Sequence, residues 1–191
     1  MATRLSPILP ADDNKWNRIL TTGSTLAHAA AIYGVLPLDF GKWELATVDG
    51  WTVAHMAALC GTLPKGFNKW ELADADAVTV AHVLAVHGKL PKDFDRWELT
   101  DKNGWTVAHL AAMCSRLPDD FTQWHLANKD GITVAHLFVE RAAEKGVEEK
   151  LPWADDSDVW KLSTKDGMSV AEYYHQELQA AMLRDIKNLF R

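Results

Sequence analysis

Residues 90–116 read LPKDFDRWELTDKNGWTVAHLAAMCSR, and versions of this pattern recur along most of the chain at a spacing of 27 residues. Two sets of residues, one of tryptophans and one of histidines, both recur at that spacing. They are Trp16, Trp43, Trp70, Trp97 and Trp124, and His28, His55, His82, His109 and His136. A fixed period of this kind indicates one small supersecondary structure that is stacked repeatedly, so the fold follows from a single repeat.

Leu-Pro dipeptides mark the start of each repeat and predict six repeats in a single domain over residues 1–191. The repeats are 9–35, 36–62, 63–89, 90–116, 117–150 and 151–191. The first and last repeats have Asp13 and Ser157 at the place where the internal repeats have Phe. Polar residues there suit capping repeats whose outer side meets water. We therefore expect Trp16, in an end repeat, to matter less for stability than Trp97.

The TVAH motif, which reads TLAH at 25–28 and SVAE at 169–172, predicts the start of a helix in each repeat. Thr52 precedes an apolar run, so its hydroxyl can accept a backbone N–H and cap the helix. The run from Val53 to Leu59 is apolar nearly all round, which is typical of a helix packed between neighbouring helices. Gly61 stands where a left-handed residue ends a helix. The equivalent capping threonines are Thr25, Thr79, Thr106 and Thr133.

The Leu-Pro-x-x-Phe-x-x-Trp segment predicts a second, shorter helix. Proline suits the first position of a helix because it has no N–H to leave unsatisfied. Phe and Trp three residues apart would share one face of that helix and cover the first helix as a lid. The sequence therefore predicts an all-α fold built from helix-loop-helix units.

The sixth repeat suggests a role for the five histidines. Ser169 and Glu172 form a capping box, in which Glu reaches back to the backbone of the capping residue. Histidine holds the same place in the other repeats, so we interpret this position as one that closes hydrogen bonds at the start of a helix. The residues assigned to this structural role are Thr52, His55, Thr79, His82, Thr106, His109, Thr133, His136, Ser169 and Glu172.

A metal site is the alternative interpretation of these histidines. Packed helices lie about 8 to 10 Å apart, whereas zinc ligands lie about 2.0 to 2.3 Å from the ion. Equivalent histidines in adjacent repeats therefore cannot share an ion. The same reasoning applies to Cys60, His87 and Cys114, which share one helix position and which we expect to be small buried residues. We predict no metal and no cofactor.

Two stretches resemble the ankyrin repeat signature D-x-x-G-x-T-P-L-H-x-A-A. They are DGWTVAHMAA at 49–58 and NGWTVAHLAA at 103–112. The likeness covers all six repeats, although Val53 and Ala54 stand where ankyrins have Pro and Leu, and ankyrin repeats are longer, at about 33 residues. The resemblance implies an all-α, ankyrin-like helical repeat solenoid of six stacked units with capping ends. It also implies projecting loops that bind proteins.

The predicted function is therefore protein binding without catalysis. The residue that follows each loop Gly or Ala is variable, and in the ankyrins that this chain resembles that place projects toward the target. The predicted partner-binding residues are Trp51, Val78, Trp105, Ile132 and Met168. Two alternatives stay open for this row: it is partly buried between the shortened repeats, or it is an exposed interface stripe.

The net charge of −6 argues against nucleic-acid binding, which needs clustered Lys and Arg. Acidic residues collect near the starts of the predicted second helices, where they suit the helix dipole or attract a basic partner. They are Asp93, Asp95, Asp119, Asp120, Asp155, Asp156 and Asp158. An acidic inhibitor or effector of a basic or nucleic-acid-handling protein is therefore the alternative function. The absence of a phosphate loop, a nucleophile elbow and an HExxH motif argues against an enzyme.

The remaining features predict a cytoplasmic protein. The chain has two cysteines, no signal-peptide pattern and no apolar run of membrane length. A charged insertion at 141–150 interrupts the period, and its role is open. A long amphipathic helix after Ser169 is interpreted as the C-terminal cap of a monomer, and dimerisation through it is the alternative.

Overall fold

The computed structural model describes residues 13–145 and 151–189. Within these ranges six α-helices follow one another: α1 Leu26–Ile32, α2 Val53–Cys60, α3 Val80–His87, α4 Val107–Met113, α5 Val134–Lys145 and α6 Val170–Leu189. Short 3-10 helices occupy Asp13–Asn17 and Asp158–Lys161. Over the described ranges, β structure is limited to isolated bridges. The predicted all-α repeat fold is confirmed.

The helices belong to two compact regions. The first region extends to Asp76 and contains α1 and α2, which pack against each other. The second region begins at Ala77, and in it α3 packs on α4, α4 on α5, and α5 on α6. The assignment of all six repeats to one domain stays a prediction.

The boundaries of the main helices follow from their caps. Thr52 has extended backbone angles and its side chain accepts the backbone N–H of His55. Gly61 ends α2 with a φ of 72°, and Gly88 ends α3 with a φ of 62°. Within α2, Ala57 and Ala58 are completely buried. Because these side chains are small, α2 can lie close to α1.

The second helix is absent from the internal repeats, where the Leu-Pro-x-x-Phe-x-x-Trp segment forms two consecutive turns instead. In the fourth repeat the turns are closed by the N–H of Phe94 to the carbonyl of Pro91 and by the N–H of Leu99 to the carbonyl of Arg96. The carbonyls of Trp97 and Leu99 then accept the first free N–H groups of α4, at 3.3 and 3.0 Å. These carbonyls cap α4, so they are not available to extend a second helix.

Aromatic rings form the lid that a second helix was expected to supply. In the first region the ring centroids of Trp16, Phe40, Trp43 and Phe67 follow one another at 5.6, 5.0 and 5.4 Å, all edge to face. In the second region Phe94, Trp97, Phe121 and Trp124 follow at 5.1, 5.5 and 4.9 Å in the same geometry. Edge-to-face pairs at these distances are attractive because the positive ring edge meets the negative ring face.

This aromatic packing removes the reason for expecting Trp16 to matter less than Trp97, although the two stability losses themselves stay a prediction. Trp16 is only 2% exposed, because the ring of Phe40 packs against it, whereas Trp97 in an interior repeat keeps part of its surface accessible. Burial therefore gives no reason to expect a smaller stability loss when Trp16 is removed.

The loops before the main helices stack closely on one another. Lys129 N–H donates to the carbonyl of Asn103 at 3.1 Å, and Lys165 N–H donates to the carbonyl of Asp130 at 3.0 Å. Gly131, with a φ of +79°, lies where an added Cβ would come within 2.6 Å of the Lys165 nitrogen. Glycine is therefore required there both for its backbone angle and for the close approach of the next loop.

A pair of matched substitutions separates these two requirements. Gly167 has nearly the same φ, +83°, but an added Cβ would meet nothing within 4 Å. We expect Gly131→Ala to lower the free energy of unfolding by about 1 to 3 kcal/mol more than Gly167→Ala, because only the first adds an overpacked contact to the backbone strain. Urea unfolding of the two variants measures the difference. Equal losses would show that the loops do not stack as described.

Candidate partner-binding face

Each histidine of the TVAH motif closes a capping box with its threonine. In α4 the backbone N–H of Thr106 donates to Nδ1 of His109 at 3.1 Å, and the Thr106 hydroxyl lies 2.7 Å from the same nitrogen. The backbone N–H of His109 donates in return to Thr106 Oγ1 at 3.2 Å. The same pairing of threonine with histidine holds for Thr25 and His28, Thr52 and His55, Thr79 and His82, and Thr133 and His136.

The other ring nitrogen reaches the loop of the following repeat. Nε2 lies 3.0 Å from the carbonyl of Trp51 for His28, and 2.9 Å from the carbonyl of Ile132 for His109. The corresponding distances are 3.1 Å from His82 to Trp105 and 3.2 Å from His136 to Met168. Since a carbonyl can only accept, Nε2 must carry the proton and Nδ1 must be the acceptor in the capping box.

This second bond joins one repeat to the next, as expected if the histidines are both cap partners and hydrogen-bond partners between repeats. Glu172 in the sixth repeat closes the capping box by accepting the N–H of Ser169 at 2.8 Å, but it is exposed, and its hydrogen bonds are to Ser169 alone within the part of the chain that the structure describes. The imidazole of a histidine such as His109 closes the cap with one nitrogen and reaches the loop of the next repeat with the other.

Burial lowers the pKa of three of these imidazoles and so favours their neutral form. Desolvation lowers the pKa of His28 and His136, and the carbonyl hydrogen bonds offset part of this effect. Desolvation also lowers the pKa of His109, partly opposed by the Ile132 carbonyl and the Asp101 carboxylate. Neutral imidazole is the form that the hydrogen bonds require, because a proton on Nδ1 would face the threonine N–H.

Acid should therefore destabilise the fold. An unfolded histidine takes up a proton near its ordinary pKa of 6.5, whereas folded His109 stays neutral to lower pH. The free energy of unfolding should then fall as the pH drops below 6.5, by at most about 1.4 kcal/mol per pH unit for each such histidine. Urea midpoints between pH 7 and pH 5 measure this slope.

The control for the pH experiment is a matched pair of variants. His109→Ala should cost about 1 to 3 kcal/mol at pH 7, because it leaves buried groups unsatisfied, and it should flatten the slope. His87→Ala removes an exposed histidine and should keep the slope of the parent. If His109→Ala leaves the pH dependence of the free energy of unfolding unchanged, that result would contradict its assignment to the buried histidines.

Four of the five predicted partner-binding residues, Trp51, Trp105, Ile132 and Met168, are the ones whose carbonyls receive these bonds. The backbone of Trp105 is also held by its own loop, since its carbonyl accepts the N–H of Asp101 at 2.9 Å and its N–H donates to Asp101 Oδ1 at 2.9 Å. Ile132 is held in the same way by Asn128. Each of these residues therefore presents its side chain from a fixed backbone.

The side chains of this row are partly covered. Trp51, Val78, Trp105 and Ile132 are half-buried, and Met168 is 36% exposed. The indole of Trp51 lies 5.5 Å from the ring of His55, and that of Trp105 lies 5.5 Å from the ring of His109. Each indole ring thus packs against the histidine near the start of its own helix and keeps part of its surface accessible. The row is therefore partly buried, and its role as an interface stripe stays a prediction.

Sequence reasoning missed a second set of accessible apolar side chains, with one row in each region. The row of the first region consists of Ile32 and Leu59 and that of the second of Val86 and Met113, near the ends of α1 to α4, and these side chains are 44, 40, 42 and 43% exposed. These residues are 27 apart, so the repeat period was the signal that could have revealed them. Helices α1 to α4 contain no Asp, Glu, Lys or Arg. Apart from Cys60 and His87, the exposed side chains of these four helices are apolar.

Two expectations about polar residues are wrong. Cys60 and His87 are exposed, and Cys114 is partly exposed, so these residues are not buried. Asp93, Asp119 and the acidic residues grouped with them lie in turns rather than at starts of second helices, apart from Asp158 in its 3-10 helix. Asp158 instead pairs with Lys161 at 2.7 Å, which lowers the pKa of its carboxyl group.

The described part of the chain contains no cluster of three or more His, Cys, Asp or Glu side chains that could hold a metal ion. None of its described helices has the length and hydrophobicity needed to cross a membrane.

Comparisons with known proteins agree with the fold. No family model matches the sequence, and no curated protein matches it. Among solved structures, the chain is similar to the ankyrin repeat domain of Bcl-3, described as a unique member of the IkappaB protein family. The match has a TM-score of 0.60 and 19% sequence identity, and it covers 85% of this chain and 86% of the Bcl-3 domain. The resemblance to ankyrin repeats is thus confirmed at the level of the fold, in repeats of only 27 residues.

Proposed function

We propose that this chain is a protein-binding module without catalytic activity of its own. The observations that carry the proposal are the exposed apolar side chains near the ends of its short helices and the partly exposed side chains on its rigid loops. In the second region these are Val86 and Met113 on α3 and α4, and Trp105 and Ile132 on the loops. Accessible apolar residues that recur in this way are typical of interaction surfaces.

The rigidity of the loops favours binding. A partner that docks on Trp105 or Ile132 does not have to order the backbone of the loop, because hydrogen bonds already hold both ends of it. Preorganisation of this kind reduces the entropy cost of association. Tryptophan is also a preferred anchor residue in interfaces, which supports a direct role for Trp51 and Trp105. The partner-binding residues in the proposal are therefore Trp51, Val78, Trp105, Ile132 and Met168.

The proposal includes a monomer in a reducing compartment. Cys60 and Cys114 are free thiols, which suits the cytoplasm. Exposed positions in the first half of α6 are polar, namely Glu172, His175, Gln176 and Gln179. A polar outer helix suits a capping repeat. Met182 and Leu183, which are 59 and 57% exposed, are the side chains through which a dimer would form instead.

Removal of the apolar side chains on the helices tests the binding proposal. Val86→Ser combined with Met113→Ser changes two partly exposed residues, and Leu38→Ser is the control because Leu38 is 100% exposed in a turn. Purified wild-type protein and both variants are immobilised and exposed to host-cell lysate, and retained proteins are quantified by mass spectrometry. We expect proteins retained by the wild type and by Leu38→Ser to be lost from the double variant.

Thermal unfolding provides the second measurement. The double variant should melt within a few degrees of the wild type, because partly exposed side chains contribute less to stability than core residues do. Equal retention by all three proteins would contradict the binding proposal.

A further inference from the structure

In the second region, the position held by apolar Val86 on α3 and Met113 on α4 is held by a carboxylate on α5. Glu140 lies 27 residues after Met113 and holds the same helix position on α5 that Met113 holds on α4 and Val86 holds on α3. All three helices belong to the second region, where each packs on the next. A partner lying across α3, α4 and α5 would therefore meet apolar side chains first and a carboxylate next.

Glu140 is one member of a small polar group between α5 and α6. Its Oε2 accepts the hydroxyl of Tyr173 at 3.3 Å. Glu177 lies one turn beyond Tyr173 on α6, and its carboxylate is close enough to act on the same phenol. Burial, together with these two carboxylates, raises the pKa of Tyr173 to about 12, so the phenol keeps its proton and its bond to Glu140.

The two carboxylates are not neutralised within the part of the chain that the structure describes. Arg141, the neighbour of Glu140 in the sequence, pairs with Glu144 instead. Neither Glu140 nor Glu177 forms an ion pair over residues 13–145 and 151–189. Both are half-buried, so their charges are less completely hydrated than those of fully exposed carboxylates. A cation supplied from outside would find both carboxylates available.

We propose that this face binds a basic amphipathic segment of a partner protein, with its apolar side chains against Val86 and Met113 and an Arg or Lys between Glu140 and Glu177. The inference rests on the proposed function and adds the chemistry of the partner. Adjacent helices are about 8 to 10 Å apart, so the cation follows the apolar contacts by about that distance along the segment. The net charge of −6 attracts a basic partner from longer range.

Selection from a peptide library tests the charge of the partner. The probe is a phage-displayed library of random 16-residue peptides, selected on the purified full-length chain. We expect the enriched peptides to combine apolar residues with Lys or Arg. Representative peptides are then synthesised with a fluorescent label, and their dissociation constants are measured by anisotropy.

Three variants locate the bound peptide. Met113→Ser should abolish or strongly weaken binding, because it removes an apolar contact. Glu140→Gln combined with Glu177→Gln should raise the dissociation constant about 3- to 10-fold at low salt, with a smaller effect at high salt. Glu98→Gln is the matched control, since this exposed carboxylate pairs with Arg96 in a turn, and it should leave the constant unchanged.

The outcomes distinguish this inference from the proposed function. Selected peptides that bind the wild type but not Met113→Ser, and that are not enriched in Lys or Arg, would overturn the inference and leave the proposed function intact. Binding that neither Met113→Ser nor the Gln variants affect would overturn both. Concentration-dependent self-association that Met113→Ser abolishes would assign the face to a second copy of the chain and would also overturn the inference.

Discussion

A neutral imidazole that bonds in two directions is the interaction on which the rest of the structure depends. Nδ1 of His109 closes the N-terminus of its own helix, and Nε2 holds the carbonyl of Ile132 in the loop of the next repeat. One side chain thus fixes both the start of a helix and the distance to its neighbour. A hydrogen bond of this kind contributes only about 0.5 to 1.5 kcal/mol net, but it is repeated in both compact regions. Its loss costs more, because buried polar groups are left without partners.

The repeat is short because the backbone carbonyls that precede a main helix cap that helix and do not form a second one. The carbonyls of Trp97 and Leu99 accept the first N–H groups of α4, so the segment that carries them is held against the helix without being helical itself. The edge-to-face rings of Phe94, Trp97 and Phe121 then cover the helices from the same side. Aromatic packing replaces the second helix, and the repeat needs fewer residues.

The same bonds create the proposed binding face. A residue such as Trp105 lies at the end of a tight loop whose carbonyl is held by His82 and whose N–H is held by Asp101. The core covers one side of its ring and leaves the other accessible. The structural role and the proposed binding role therefore fall on different atoms of one residue: the backbone joins the repeats, and the side chain is available to a partner.

The sequence predicted the features that depend on local chemistry. Thr106 before an apolar run and Gly88 after one specify the ends of helices whatever surrounds them. The turns around Phe94 were misinterpreted, because proline followed by Phe and Trp at a spacing of three is compatible with a turn as well as with a helix. Contacts with α4 favour the turn over the helix. Those contacts are tertiary, so the local sequence pattern does not reveal them. Glu140 shows the same limit, since its place in the apolar row is visible in the period but its bond to Tyr173 depends on how α6 packs.

The protonation state of the ring nitrogens tests the central claim most directly. Long-range ¹H–¹⁵N correlation spectra at pH 7 report which nitrogen of each histidine carries the proton. For His28, His82, His109 and His136 we predict a single neutral form with the proton on Nε2, whereas exposed His87 and His175 provide the comparison within the same spectrum. Protonated Nδ1, or a mixture of both neutral forms at the four buried positions, would contradict the account.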